Sequence, residues 1–161
     1  MAEPSNAGAP RGASISPVAW LVAALAWTCF IWGHSLVPGT QSSQESGAVY
    51  AVLQPLFSLL GIVDASLCTF LIRKAAHVSE YAVLGLLAAL LGRSLAVGGG
   101  GGPRLRRRAP VLFALVPVVD EGIQLFVPGR TGQPRDVLID LCGMLLGAGI
   151  ATVVAKLRPK A

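Results

Sequence analysis

The chain has 161 residues, of which 53% are hydrophobic and only 13% charged, with a mean hydropathy of +0.66 and a formal net charge of +5. Soluble domains carry about 25% charged residues. This composition excludes an ordinary soluble enzyme, and a span needs about 20 mostly apolar residues, so there is room for four or five spans and no separate catalytic domain. The basic residues Arg93, Arg104, Arg106, Arg107, Arg108, Lys156, Arg158 and Lys160 lie directly against apolar runs. They read as topology signals and anionic-lipid contacts, and no nucleic-acid partner is expected.

Residues 1–16 are rich in Ala, Gly, Pro and Ser and read as a disordered tail. The membrane domain is expected over 17–157. Its first span, 18–36, carries Trp20, Trp27 and Trp32, aromatics that favour interfaces. An uncleaved anchor is favoured over a signal peptide, because the apolar core is long and little positive charge precedes it. Residues 38–46 look polar and turn-rich. Residues 48–63 are apolar but broken by Gln54 and Pro55, and read as an interfacial or re-entrant helix.

Asp64 and Ser66 offer an N-cap to the lead-in of the second span, 71–97. A Gly/Arg loop, 98–108, follows; it lacks the Gly-Lys-Ser/Thr of a phosphate loop. The third span is placed at 109–127, with Pro117 as a kink, and the fourth at 136–157. The expected fold is therefore all-α: an integral membrane bundle of four transmembrane helices plus one interfacial or re-entrant helix. The basic loop should be cytoplasmic, which makes both termini cytoplasmic.

That topology gathers the unusual polar residues into one layer. Arg73, Lys74, His77 and Glu80 open the second span, and Arg73, His77 and Glu80 share one helix face at i, i+4, i+7. Lys74 and Tyr81 flank this stripe. Asp120, Glu121 and Gln124 close the third span, and Arg130, Arg135, Asp136 and Asp140 follow. All fall at the outer leaflet, where ionisable groups inside spans are functional suspects. Gly143 and Gly147, four apart, mark a close-packing face. The cysteines Cys29, Cys68 and Cys142 form no paired motif.

The segments RKAAHVSEYAVLG (73–85) and DEGIQLFVPGRTGQPRDVLIDLCG (120–143) resemble the two signature blocks of the VanZ-like family. These are small multi-span bacterial membrane proteins named for one linked to teicoplanin resistance. Lys74, His77, Glu80, Tyr81, Asp120, Glu121, Gln124, Arg130, Asp136, Asp140 and Gly143 stand where that pattern has its polar and glycine residues. The resemblance implies a role in the bacterial cell envelope, at the cytoplasmic membrane, and carries no settled activity.

Two readings of the layer stand side by side. In an enzyme, His77 with Glu80 or Asp120 would move protons, while Arg73, Lys74 and Arg130 hold an anionic lipid or lipid-linked cell-wall precursor. Tyr81, Glu121, Gln124, Asp136 and Asp140 would complete the binding surface. In a binding or scaffold protein, the same charges form an ion-pair network that docks helices and holds a ligand without chemistry. A proton-coupled transporter fits less well, because the ionisable groups occupy one face rather than a relay. No metal or other cofactor is expected: there is one well-placed histidine, and the basic groups compete for the acids.

Overall fold

A computed structural model describes residues 15–97, 104, 108 and 111–157. Most of the expected tail and most of the Gly/Arg loop lie outside these residues, as do Pro110, Arg158 and Lys160. Among the described residues the structure is all helical: α1 (Pro17–Ser35), α2 (Gly39–Leu59), α3 (Ala65–Val97), α4 (Val116–Gln124) and α5 (Pro134–Leu157), with a 3₁₀ turn at Phe113–Leu115. Three of them, α1, α3 and α5, are long and apolar enough to cross a membrane.

Local chemistry sets the helix starts. The Ala19 amide donates to the Ser16 hydroxyl at 3.2 Å, and Pro17 occupies the first turn, where its missing N–H is no loss. The Ser66 and Leu67 amides donate to Asp64 Oδ1 at 2.8 and 3.3 Å. The expected cap is therefore present, but the lead-in and the second span form one continuous helix of 33 residues. At 1.5 Å per residue that is about 50 Å, well beyond a hydrocarbon core of about 30 Å.

Two expectations are corrected. Residues 39–46 are helical rather than a turn-rich loop. Pro38 presets the extended backbone before the helix (φ −55°, ψ 147°), the Gly39 amide donates to Pro128 O at 3.0 Å, and Ser42 and Ser46 are buried. Gly39 presses on the Gly129 backbone, where a β-carbon would collide, and Gly129 itself takes φ +74°. Tertiary contact thus makes a helix of small polar residues. The C-terminal half of α2 exposes Val52, Leu56 and Leu59, yet α2 is not among the helices apolar enough to span.

The third expected span is not one α-helix. Pro117 cannot donate to Phe113 O, and the chain passes from the 3₁₀ turn to the nine-residue α4 at this proline. It stops at Gln124, where the Phe126 and Val127 amides turn back onto Ile123 O and Gln124 O.

The core joins Ala24 and Ile31 of α1, Tyr81, Leu84, Ala88 and Leu91 of α3, and Phe113, Val116 and Met144. Contacts between α3 and α5 advance together, Lys74 to Asp136, His77 to Asp140, Gly147 to Ala82, so these helices run parallel. Gly85 meets the Met144 backbone and Gly147 the Ala82 carbonyl, which is the close packing expected of Gly143 and Gly147. α1 runs antiparallel to α3: Ser94 meets Ile15, and Trp27 Nε1 donates to Glu80 O at 2.8 Å. The C-terminal end of α1, the N-terminal half of α3, the end of α4 and the start of α5 therefore share one end of the bundle.

Candidate functional site

That shared end holds a cavity of about 150 Å³ lined by Phe70, Arg73, Lys74, His77, Gln124, Arg130, Arg135 and Asp136, together with the loop residues Gly129, Thr131 and Gln133. Four basic side chains meet one carboxylate in this lining. Lys74 Nζ pairs with Asp136 Oδ2 at 2.6 Å. Arg73 and Arg135 form no ion pair with a described carboxylate, and the Arg73 Nε is buried with no hydrogen-bond partner.

Arg130 has a second task. Its Nε donates to Val37 O at 3.0 Å and its Nη2 to His34 O at 3.3 Å, so the guanidinium ties the end of α1 to the loop before α5. Burial, and then the neighbouring Arg73 guanidinium, hold it below the usual arginine range.

Beneath the cavity lies an acidic floor. His77 Nδ1 stands 3.5 Å from Asp140 Oδ1. One ligand-type atom from each of His77, Asp120 and Asp140 falls within 4.8 Å of the other two. Asp120 and Asp140 are fully buried. The Gln124 amide donates to Asp120 Oδ2 and to the Ser35 hydroxyl, both at 3.3 Å, which fixes one edge of that carboxylate. Tyr81 is also fully buried, with its hydroxyl beside Asp120.

Glu80 and Glu121 sit elsewhere. Glu80 Oε1 lies 3.0 Å from His34 Nδ1, and Glu45 of α2 reaches His34 Nε2 at 3.5 Å. The partner of His77 is thus Asp140, across the helix interface, and not Glu80 on its own helix. Glu121 Oε2 accepts from the Gln133 amide at 2.7 Å and so braces the entry to α5.

The polar residues therefore cluster at one end of the bundle, divided into a basic cavity, an acidic floor and a His34–Glu80–Glu45 cluster to one side. Nothing in the sequence marks Glu45, because it lies in a segment that reads as a loop. Arg135, expected among the basic groups of the layer, lines the cavity from the first turn of α5. His34 stands at the end of the first apolar run, and nothing in the sequence pairs it with Glu80.

The family model described as VanZ/LLP1 matches residues 20–155, which contain every residue of the cavity and its floor. Comparison with curated proteins and with solved structures returns no match.

Proposed function

The chain belongs to the VanZ-like family, and on that premise we propose that its basic cavity holds the phosphate of a lipid-linked molecule in the bacterial cell envelope. The observation that carries this reading is the lining: Arg73, Lys74, Arg130 and Arg135 against the single carboxylate of Asp136, with the buried Arg73 Nε unpartnered. Guanidinium groups suit phosphate oxygens, and a phosphate would supply the missing acceptors. Phe70 gives the same cavity an apolar wall.

The cavity faces the outer leaflet in this reading. Arg93, Arg104 and Arg108 are exposed. Arg93 lies 19 residues along α3 from Lys74, about 29 Å, and basic clusters stay cytoplasmic. Both termini are then cytoplasmic, the helical run ending in α4 makes the fourth crossing, and the exposed apolar residues of α2 lie in the interface. By its family the protein would lower sensitivity to teicoplanin-type glycopeptides.

A catalytic reading has one observation in its favour. His77 lines the cavity and also faces Asp140, the arrangement of a proton-transfer group with an orienting carboxylate. Complementation of a teicoplanin-sensitive bacterial host separates the readings. Wild type should raise tolerance, and Arg73→Ala should abolish it at equal membrane level. His77→Ala should also abolish it if His77 moves protons, and leave it near wild type if the site only binds. No protection by wild type would remove the resistance role.

A further inference from the structure

The acidic floor is poorly satisfied as it stands. Both oxygens of Asp140, Oδ1 of Asp120, Nδ1 of His77 and the Tyr81 hydroxyl are buried without a hydrogen-bond partner. Asp120, Asp140 and Tyr81 are each 0% exposed. Buried ionised carboxylates without donors are strongly disfavoured. The nearby cations do not relieve them: Lys74 is committed to Asp136, Arg130 to the carbonyls of His34 and Val37, and Arg73 and Arg135 form no ion pair with any described carboxylate. This removes the objection that basic groups would claim these acids.

We propose that His77, Asp120 and Asp140 bind a first-row divalent metal ion, zinc or manganese, that ties α3, α4 and α5 together. The spacing favours a shared ion over a direct hydrogen bond. Two ligands about 2.1 Å from a tetrahedral zinc stand about 3.4 Å apart. His77 Nδ1 and Asp140 Oδ1 are 3.5 Å apart and make no hydrogen bond of acceptable geometry. One imidazole with two carboxylates is a mixed nitrogen and oxygen set that suits zinc or manganese. Gln124 acts from outside the ligand set, since its bond to Asp120 Oδ2 leaves Oδ1 unclaimed. The Tyr81 hydroxyl can donate to a metal-bound carboxylate or water. His77 also lines the cavity, which gives an ion a way in.

The inference does not depend on the phosphate reading, and its test needs no ligand. The full chain, purified in detergent without a histidine tag, is stripped with EDTA, dialysed against ZnCl₂ or MnCl₂, freed of excess ion and analysed by elemental mass spectrometry. Wild type should retain about one ion per chain, and Asp140→Asn and Asp120→Asn at least about tenfold less, with Glu45→Gln unchanged as the control. Retention of neither ion by wild type would overturn the proposal, as would full retention by both variants. X-ray absorption of the zinc-loaded wild type reads the site without any variant. A shell of nitrogen and oxygen with one imidazole is expected, and sulfur in that shell would place the ion at a cysteine and overturn the assignment.

Discussion

The two ends of the α3–α5 pair are held by different physics. Towards the C-terminal ends, Gly85 rests on the Met144 backbone and Gly147 on the Ala82 carbonyl, among Leu84, Ala88 and Ala151. This is close packing of small residues, which brings backbones together with no polar group to satisfy. Towards the N-terminal ends, the same helices meet through Lys74 with Asp136 and His77 with Asp140. An ion pair such as Lys74–Asp136 is a weaker stabiliser than apolar packing, because desolvation offsets the attraction. One helix pair thus passes from close glycine packing, which reaches as far as Gly143 on the Val78 carbonyl, to a polar contact beside the cavity, and a protein that needed only cohesion would be small and apolar along the whole seam.

The sharpest way to break this comparison is at the packed end. Gly147→Leu drives a side chain into the Ala82 carbonyl and the Leu86 amide, and should lower stability by about 3 kcal/mol or more in thermal unfolding of the detergent-purified protein. At the polar end, Lys74→Met strands the Asp136 carboxylate, which is partly buried, and should cost about 2–3 kcal/mol. The double variant Lys74→Met with Asp136→Leu should recover most of that stability in a double-mutant cycle while losing ligand binding. Recovery of both would make the pair a packing device and erase the contrast.

Arg130→Lys should lower stability by about 1–2 kcal/mol, because an ammonium cannot reach Val37 O and His34 O as a fork. The smallest effect belongs to Asp64, outside the seam. The Ser66 hydroxyl, then the Ser66 and Leu67 amides, hold its carboxyl below the usual aspartate range. A depressed folded-state value means that its stabilisation is present above the ordinary aspartate value and is lost as pH falls through the depressed one. Asp64→Ala should therefore lower the melting temperature slightly at neutral pH, with the difference vanishing in acid.

The sequence made the polar layer legible because a charged residue in an apolar run is a strong signal and topology alone carries it to one end. The i, i+4, i+7 spacing correctly grouped Arg73 and His77 on the cavity side. It could not reveal which helix each residue meets. Glu80 shares a helix with His77 but is turned to His34 of α1, while His77 faces Asp140, 63 positions away. Such partners follow from interhelical register, which no local spacing encodes. The helix at 39–46 was hidden for a related reason: Gly39, Ser42 and Ser46 have weak helix propensity, and their burial supplies what propensity does not. Pro117 reads as a kink within one span, whereas in the structure it marks the change from a 3₁₀ turn to a short helix.

The central claim, that the basic cavity is built for a phosphate, is met most directly by a binding titration. Native mass spectrometry of the purified full chain would compare a long-chain polyprenyl phosphate with the matching alcohol. Wild type should bind one phosphate lipid per chain and discriminate against the alcohol, and Arg73→Ala with Arg135→Ala should lose at least about tenfold in affinity with its melting temperature nearly unchanged. Equal binding of phosphate and alcohol, or undiminished binding by the double variant, would contradict the claim.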